Sequence, residues 1–139
     1  VLYRYAGKPQ VENGQNQFSD VAGTAWYADG VAWAVAEGVT NGTGNNKFSP
    51  DAPITRESIV TMLYRYLEKN SLQIPLKNDK ITFNDEGQIS SWAKESVEVM
   101  QRGGIVNGKA SSDFCPKDHA TRAEVATMIY RLVLAIEPK

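Results

Sequence analysis

The sequence predicts an all-α fold of tandem helical repeats, and three observations predict it. The first is self-similarity: Trp92, Val97, Gly104, Phe114, Pro116 and Thr121-Arg122 stand 66 positions after Trp26, Val31, Gly38, Phe48, Pro50 and Thr55-Arg56. The second is an apolar stripe at helical spacing, Ile59, Met62, Leu63, Tyr66 and Leu67, repeated by Val125, Met128, Ile129, Leu132 and Val133. Such a stripe is one buried face of an α-helix. The third is punctuation: glycine ends and threonine starts recur at matching places in both copies. A recurring unit of this length buries its apolar face against its neighbours, so function is expected in what the copies repeat on their surface.

Each copy opens with Phe-x-Asp, Phe18-Ser19-Asp20 and Phe83-Asn84-Asp85. A first helix is expected over residues 26–37 and 92–102, the latter preceded by the capping residues Ser90 and Ser91. Gly38-Val39 and Gly104-Ile105 read as left-handed terminal glycines, each followed by an apolar residue folded back on the last turn. Asn41-Gly42 and Asn107-Gly108 signal tight turns. Phe48 and Phe114 of the Phe-x-Pro segments return the chain to the core, and the striped second helix follows. The opening residues 1–5 match residues 62–66, so Val1, Leu2 and Tyr5 fall on the same stripe. The expected organisation is residues 1–17 as the tail of an incomplete unit plus linker, 18–67 as a repeat, 68–82 as a linker and 83–139 as a second repeat.

Composition narrows the class. The chain has 139 residues with 42% hydrophobic content, enough for a compact core. Fifteen basic residues against sixteen acidic leave no field that would draw it to nucleic acid. No apolar run is long enough for membrane insertion. The single cysteine, Cys115, takes the place of Ser49 in a loop and reads as an incidental small residue. With one histidine, there is no Ser-His-Asp or His-Cys constellation, no zinc spacing and no acidic ladder for calcium, so no metal or cofactor is expected. No acidic pair recurs beyond Asp20 and Asp85, so the reading is not an enzyme.

The helix starts carry the motif of interest. Thr121 with Glu124 three positions on is a capping box, whereas Thr55 keeps the cap but has Ser58 in place of the glutamate. Glu57 favours the positive helix end electrostatically. Arg56 and Arg122 do not fit this logic, because a cation at the first helical position opposes the macrodipole at a cost of about 0.3–1 kcal/mol. A guanidinium beside free first-turn amides suits a carboxylate or phosphate. An internal ion pair, to Asp20, Asp85 or a neighbouring unit, accounts for it equally well. Trp26 and Trp92 open the first helices; a repeated tryptophan reads as core, with stacking on a sugar ring as the alternative. Trp33, aligned with Val99, is either a packing variant or an outward platform.

Phe-Ser-Asp-Val, Trp-Tyr, Ala-Glu-Gly-Val-Thr-Asn-Gly, Phe-Ser-Pro and Ile-Thr-Arg-Glu-Ser, in that order, resemble an S-layer homology repeat. Gly-Gly-Ile-Val-Asn-Gly through Ala-Thr-Arg-Ala-Glu resembles the next one. The resemblance covers residues 18–67 and 83–134, with residues 1–8 similar to the end of a preceding repeat. It implies helical hairpins packed as a partial pseudo-threefold helical bundle, and a module at the bacterial cell surface. The implied partner is secondary cell-wall polysaccharide linked to peptidoglycan, bound through an anionic, pyruvylated sugar in grooves between repeats. Carried onto this chain, the implied contacts are Arg56 and Arg122 with their caps Thr55, Thr121 and Glu124. Asp20, Asp85, Gly42, Gly108, Trp26 and Trp92 are further groove contributors. Departures are Ser58, Ala120 opposite Ile54, Cys115 and His119, the last expected as an exposed loop residue. The alternative function is a structural self-assembly module, with self-association through the incomplete first repeat.

Overall fold

The computed structural model describes residues 2–8, 18–22, 24–40, 46–108 and 112–136. Among these the regular elements are helices: α1 Leu2–Tyr5, α2 Ala28–Ala36, α3 Arg56–Lys69, α4 Lys94–Arg102 and α5 Arg122–Ile136. The all-α prediction holds. Short 3-10 turns at Glu86–Gln88 and Ser91–Ala93 lead into α4. Val1, Asn41 and Gly42 lie outside the described residues.

Local chemistry sets the helix ends where the sequence places them. Gly38 and Gly104 have φ of 73° and 78°, a region glycine enters without steric cost. After Gly38, the Val39 amide donates to Ala34 O and the Gly38 amide to Val35 O. After Gly104, the Ile105 amide donates to Met100 O and the Gly104 amide to Gln101 O. Both are complete Schellman motifs, and their apolar partners Val39 and Ile105 are buried. At the start of α3, Thr55 Oγ1 accepts from the Ser58 amide. At the start of α5 the box is reciprocal: the Glu124 amide donates to Thr121 Oγ1 and the Thr121 amide to Glu124 Oε1, both at 3.1 Å. Ser90 is not a side-chain cap.

The Phe-x-Asp and Phe-x-Pro segments of each repeat form one clamp. Asp20 accepts from the Phe48 and Ser49 amides, and Asp85 from the Phe114 and Cys115 amides, all at 2.8 Å. The clamp holds Ser49 and Cys115 at φ of 60° and 58°, a conformation that side chains rarely adopt unaided. The paired rings stack in the same tilted way, Phe18 with Phe48 at 5.5 Å and Phe83 with Phe114 at 5.4 Å. Amides of Phe48 and Ser49 lower the Asp20 carboxyl below its ordinary value of 3.8.

The chain divides into two compact units, residues 1–52 and 53–139, a boundary that falls inside the first full sequence repeat. In the first unit α1 packs on α2, with Tyr3 against Trp33 at 5.8 Å. Trp33 is therefore a packing residue, and Phe18, Val21, Ala28 and Val31 form a core cluster of this unit. In the second unit α3 packs on α4, and Val60, Leu63, Met100, Ile105, Val106, Phe114 and Leu132 are among its most deeply buried side chains. α1 thus pairs with α2 in the first unit as α3 pairs with α4 in the second. The two stripes differ in cover: α3 buries Ile59, Leu63, Tyr66 and Leu67, while α5 buries Met128 and Leu132 and leaves Tyr130 66% exposed. The linker after α3 is tied to the end of α4, where Lys77 and Asn78 amides donate to Arg102 O. Gln101 reinforces this by accepting from the Ile81 amide and donating to Asp79 O.

Candidate functional site

Arg56 and Arg122 occupy one position of the repeat and sit in opposite environments. Arg56 is 4% exposed. Its Nε donates to Phe114 O at 2.8 Å, its Nη2 to Asn107 O at 3.1 Å, and its Nη1 pairs with Glu124 Oε2. The guanidinium carbon lies 5.1 Å from the centre of the Phe114 ring. The first-turn amides beside it are occupied as well: Arg56 donates to Asp118 O, Glu57 to Pro116 O and Ser58 to Thr55 Oγ1. The free-amide anion site expected at the start of α3 does not exist. The segment after Phe114 closes over it, and a Thr55–His119 bridge and an Ala120 amide donating to Ile54 O seal the edge.

Arg122 is exposed, and among the described residues nothing pairs with its guanidinium or accepts from the amides of Arg122 and Ala123. The chemistry expected of a helix-start arginine is thus intact at Arg122 and converted into an internal ion pair at Arg56.

Glu124 joins the two helix starts. One oxygen completes the α5 capping box and the other takes Arg56. Burial pushes its carboxyl up, but the Thr121 amide and the Arg56 charge outweigh that and hold it below its ordinary 4.5. Glu57, expected to act only through the helix dipole, is a buried anchor. It accepts from the Ser90 amide at 3.0 Å, the Ser90 hydroxyl at 2.7 Å and Lys117 Nζ at 2.9 Å. Burial raises its pKa, while Ser90 and Lys117 pull it further down, leaving it below 4.5. Ser90 therefore serves Glu57 rather than a helix cap.

An open crevice of about 330 Å³ runs along α5, lined by Arg56, Ile105, Val106, Asn107, Ala123, Glu124, Thr127, Met128 and Arg131. Arg56, Ala123 and Glu124 bring the helix-start motifs to it; Arg122 is not among the lining residues. Arg131 was missed by motif reasoning, although its recurrence as Arg65 and Arg4 in the aligned sequence was a usable signal.

The other expected contributors have mainly internal duties. Both Asp20 and Asp85 hold two amides of their own loops. Gly108 is required by packing, since a Cβ there would lie 2.8 Å from Phe83 Cε1. Trp26 and Trp92 are 84% and 52% exposed, so the core reading of these two residues is overturned. Their position at the helix start fitted either face, and the structure puts the indoles outside. Trp26 lies edge-on to Tyr27 at 5.3 Å, with the Arg4 guanidinium 5.9 Å from its ring. His119 is exposed, as expected. Among the described residues no group of histidine, cysteine or carboxylate side chains could hold a metal ion, and no helix is long and apolar enough to cross a membrane.

Comparison with known proteins bears on the same residues. A family model described as the S-layer homology domain matches residues 17–59 and 82–126. An exoglucanase XynX of Acetivibrio thermocellus is 38% identical over 126 residues, 91% of this chain and 11% of that protein. An amylopullulanase of Thermoanaerobacterium thermosulfurigenes is 37% identical over 88% of this chain and 6% of its own length. A cellulosome-anchoring protein of Acetivibrio thermocellus is 27% identical over 94% of this chain and 30% of its own. The chain spans only a small part of each of these relatives.

Proposed function

Because this chain belongs to the S-layer homology domain family, we propose that it is a non-catalytic module anchoring a protein to the bacterial cell surface. The ligand in this reading is anionic secondary cell-wall polysaccharide, its charge carried by pyruvyl substituents. Relatives named as an exoglucanase, an amylopullulanase and a cellulosome-anchoring protein share this segment. Proteins of such different activity sharing one small part is what a transferable anchor produces. The observation that carries the ligand reading is Arg122. Among the described residues nothing pairs with its guanidinium or with the two amides at this helix start, the combination that favours a carboxylate. The outward indoles of Trp26 and Trp92 offer apolar faces to sugar rings.

Sedimentation with purified cell walls tests the reading. The protein should pellet with native walls and stay in solution with walls stripped of their polymer by hydrogen fluoride. Arg122→Ala should weaken the interaction while leaving the melting curve in place. Retention on stripped walls would sink the proposal.

One observation favours a second reading, a self-assembly module. The arginine at the start of α3 is already used to lock one repeat onto the next, so Arg122 is suited to engage protein in the same way, on a helix that also exposes Tyr130. Light scattering separates the readings: assembly through this face makes the apparent mass rise with concentration, and anchoring alone does not.

A further inference from the structure

Resting on the anionic-ligand reading above, we infer that the crevice along α5 is a second carboxylate seat besides the Arg122 helix start, and that its cation is Arg131 and not Arg56. Charge and hydrogen bonding within the lining lead to this. Three of the lining side chains are charged, Arg56, Glu124 and Arg131. Arg56 and Glu124 neutralise each other, and the remaining donors of Arg56 face two backbone carbonyls. An incoming carboxylate would have to displace Glu124 from a buried guanidinium, exchanging one anion for another at no gain while leaving Glu124 half-buried and unpaired. Arg131 has no such partner among the described residues. It is half-buried on the crevice wall, two turns along α5 from Glu124 and one turn from Thr127. Its charge is therefore the net charge of the crevice.

The rest of the lining decides what kind of anion fits. Ile105, Val106 and Met128 are buried and apolar, and Thr127 already donates its hydroxyl to Ala123 O. A single carboxylate on a carbon bearing an apolar group can set its charge on Arg131 and its apolar part on this floor. A phosphate has no apolar part to set on this floor. Arg56 is thus a positioning residue: it fixes the Asn107 carbonyl that edges the crevice and holds Glu124 away from Arg131.

The test is calorimetric titration of the whole chain with a methyl hexoside carrying a carboxyethylidene ketal, and with the same hexoside lacking the ketal. The ketal form should bind and the plain sugar should not. Arg131→Gln should lose at least tenfold in affinity, Arg131→Lys should recover most of it, and neither should shift the melting curve. Glu124→Gln, which frees the Arg56 charge, should bind the ketal more tightly than the native protein. Unchanged affinity in Arg131→Gln with loss in Arg122→Gln would overturn this assignment and leave wall anchoring intact. Absence of ketal binding by the native chain would overturn it as well, and wall sedimentation then reports separately on the anchoring reading.

Discussion

At the scale of single residues, one sequence position does two jobs. Arg56 is a buried cation with a carboxylate and two carbonyls around it, and removing it strands Glu124 and both carbonyls. Loss of one member of a buried pair costs about 3–5 kcal/mol, so Arg56→Met should lower stability by that order in urea titrations followed by circular dichroism. Arg122 is exposed and pairs with nothing among the described residues, and Arg122→Ala should stay within about 0.5 kcal/mol of the native chain. Equal effects of the two changes would refute the distinction. No local rule could have separated them: the partners of Arg56 are 51 to 68 positions away in sequence. What was legible is local, such as the Thr121–Glu124 box, or apolar and periodic. The Asp20 and Asp85 clamps fall between, because the spacing from Phe-x-Asp to Phe-x-Pro is nearly constant and could have pointed to them.

At the scale of elements, the helices were legible in extent, and their partners were not. Stripes and terminal glycines are written in each helix, but which helices meet is decided by long-range contacts such as Glu57 with Ser90. That contact ties the first turn of α3 to the approach to α4 and depends on ionisation. The folded pKa of Glu57 and of Glu124 is lowered from an ordinary 4.5. The stability they add is therefore full above that value and lost as pH falls through the folded values beneath it. The melting temperature should be flat from pH 7 to about 5 and drop in stronger acid. Glu57→Gln should begin lower at pH 7 and fall less steeply, since one of the titrating groups is gone. An acid slope identical to that of the native protein would show that Glu57 is not part of the link.

At the scale of the whole molecule, the sequence and the fold are out of phase. Repeats seen in sequence run from Phe-x-Asp to the end of the striped helix, yet residues 53–139 form one compact unit that starts with the second helix of the earlier repeat. The reason is chemical. Arg56 and Glu57 are buried charges whose partners, Asn107, Phe114, Lys117 and Glu124 among them, all belong to the following repeat. A fragment of residues 18–82 contains a full sequence repeat but deprives both charges of those partners and α3 of its contact with α4. A fragment of residues 53–139 keeps every one of them. The second should therefore unfold cooperatively in urea with native-like helicity, while the first should lose structure gradually or fail to form it. Cooperative unfolding of 18–82 alone would mean that the sequence repeat is the folding unit after all, and that the Arg56 and Glu57 contacts are dispensable.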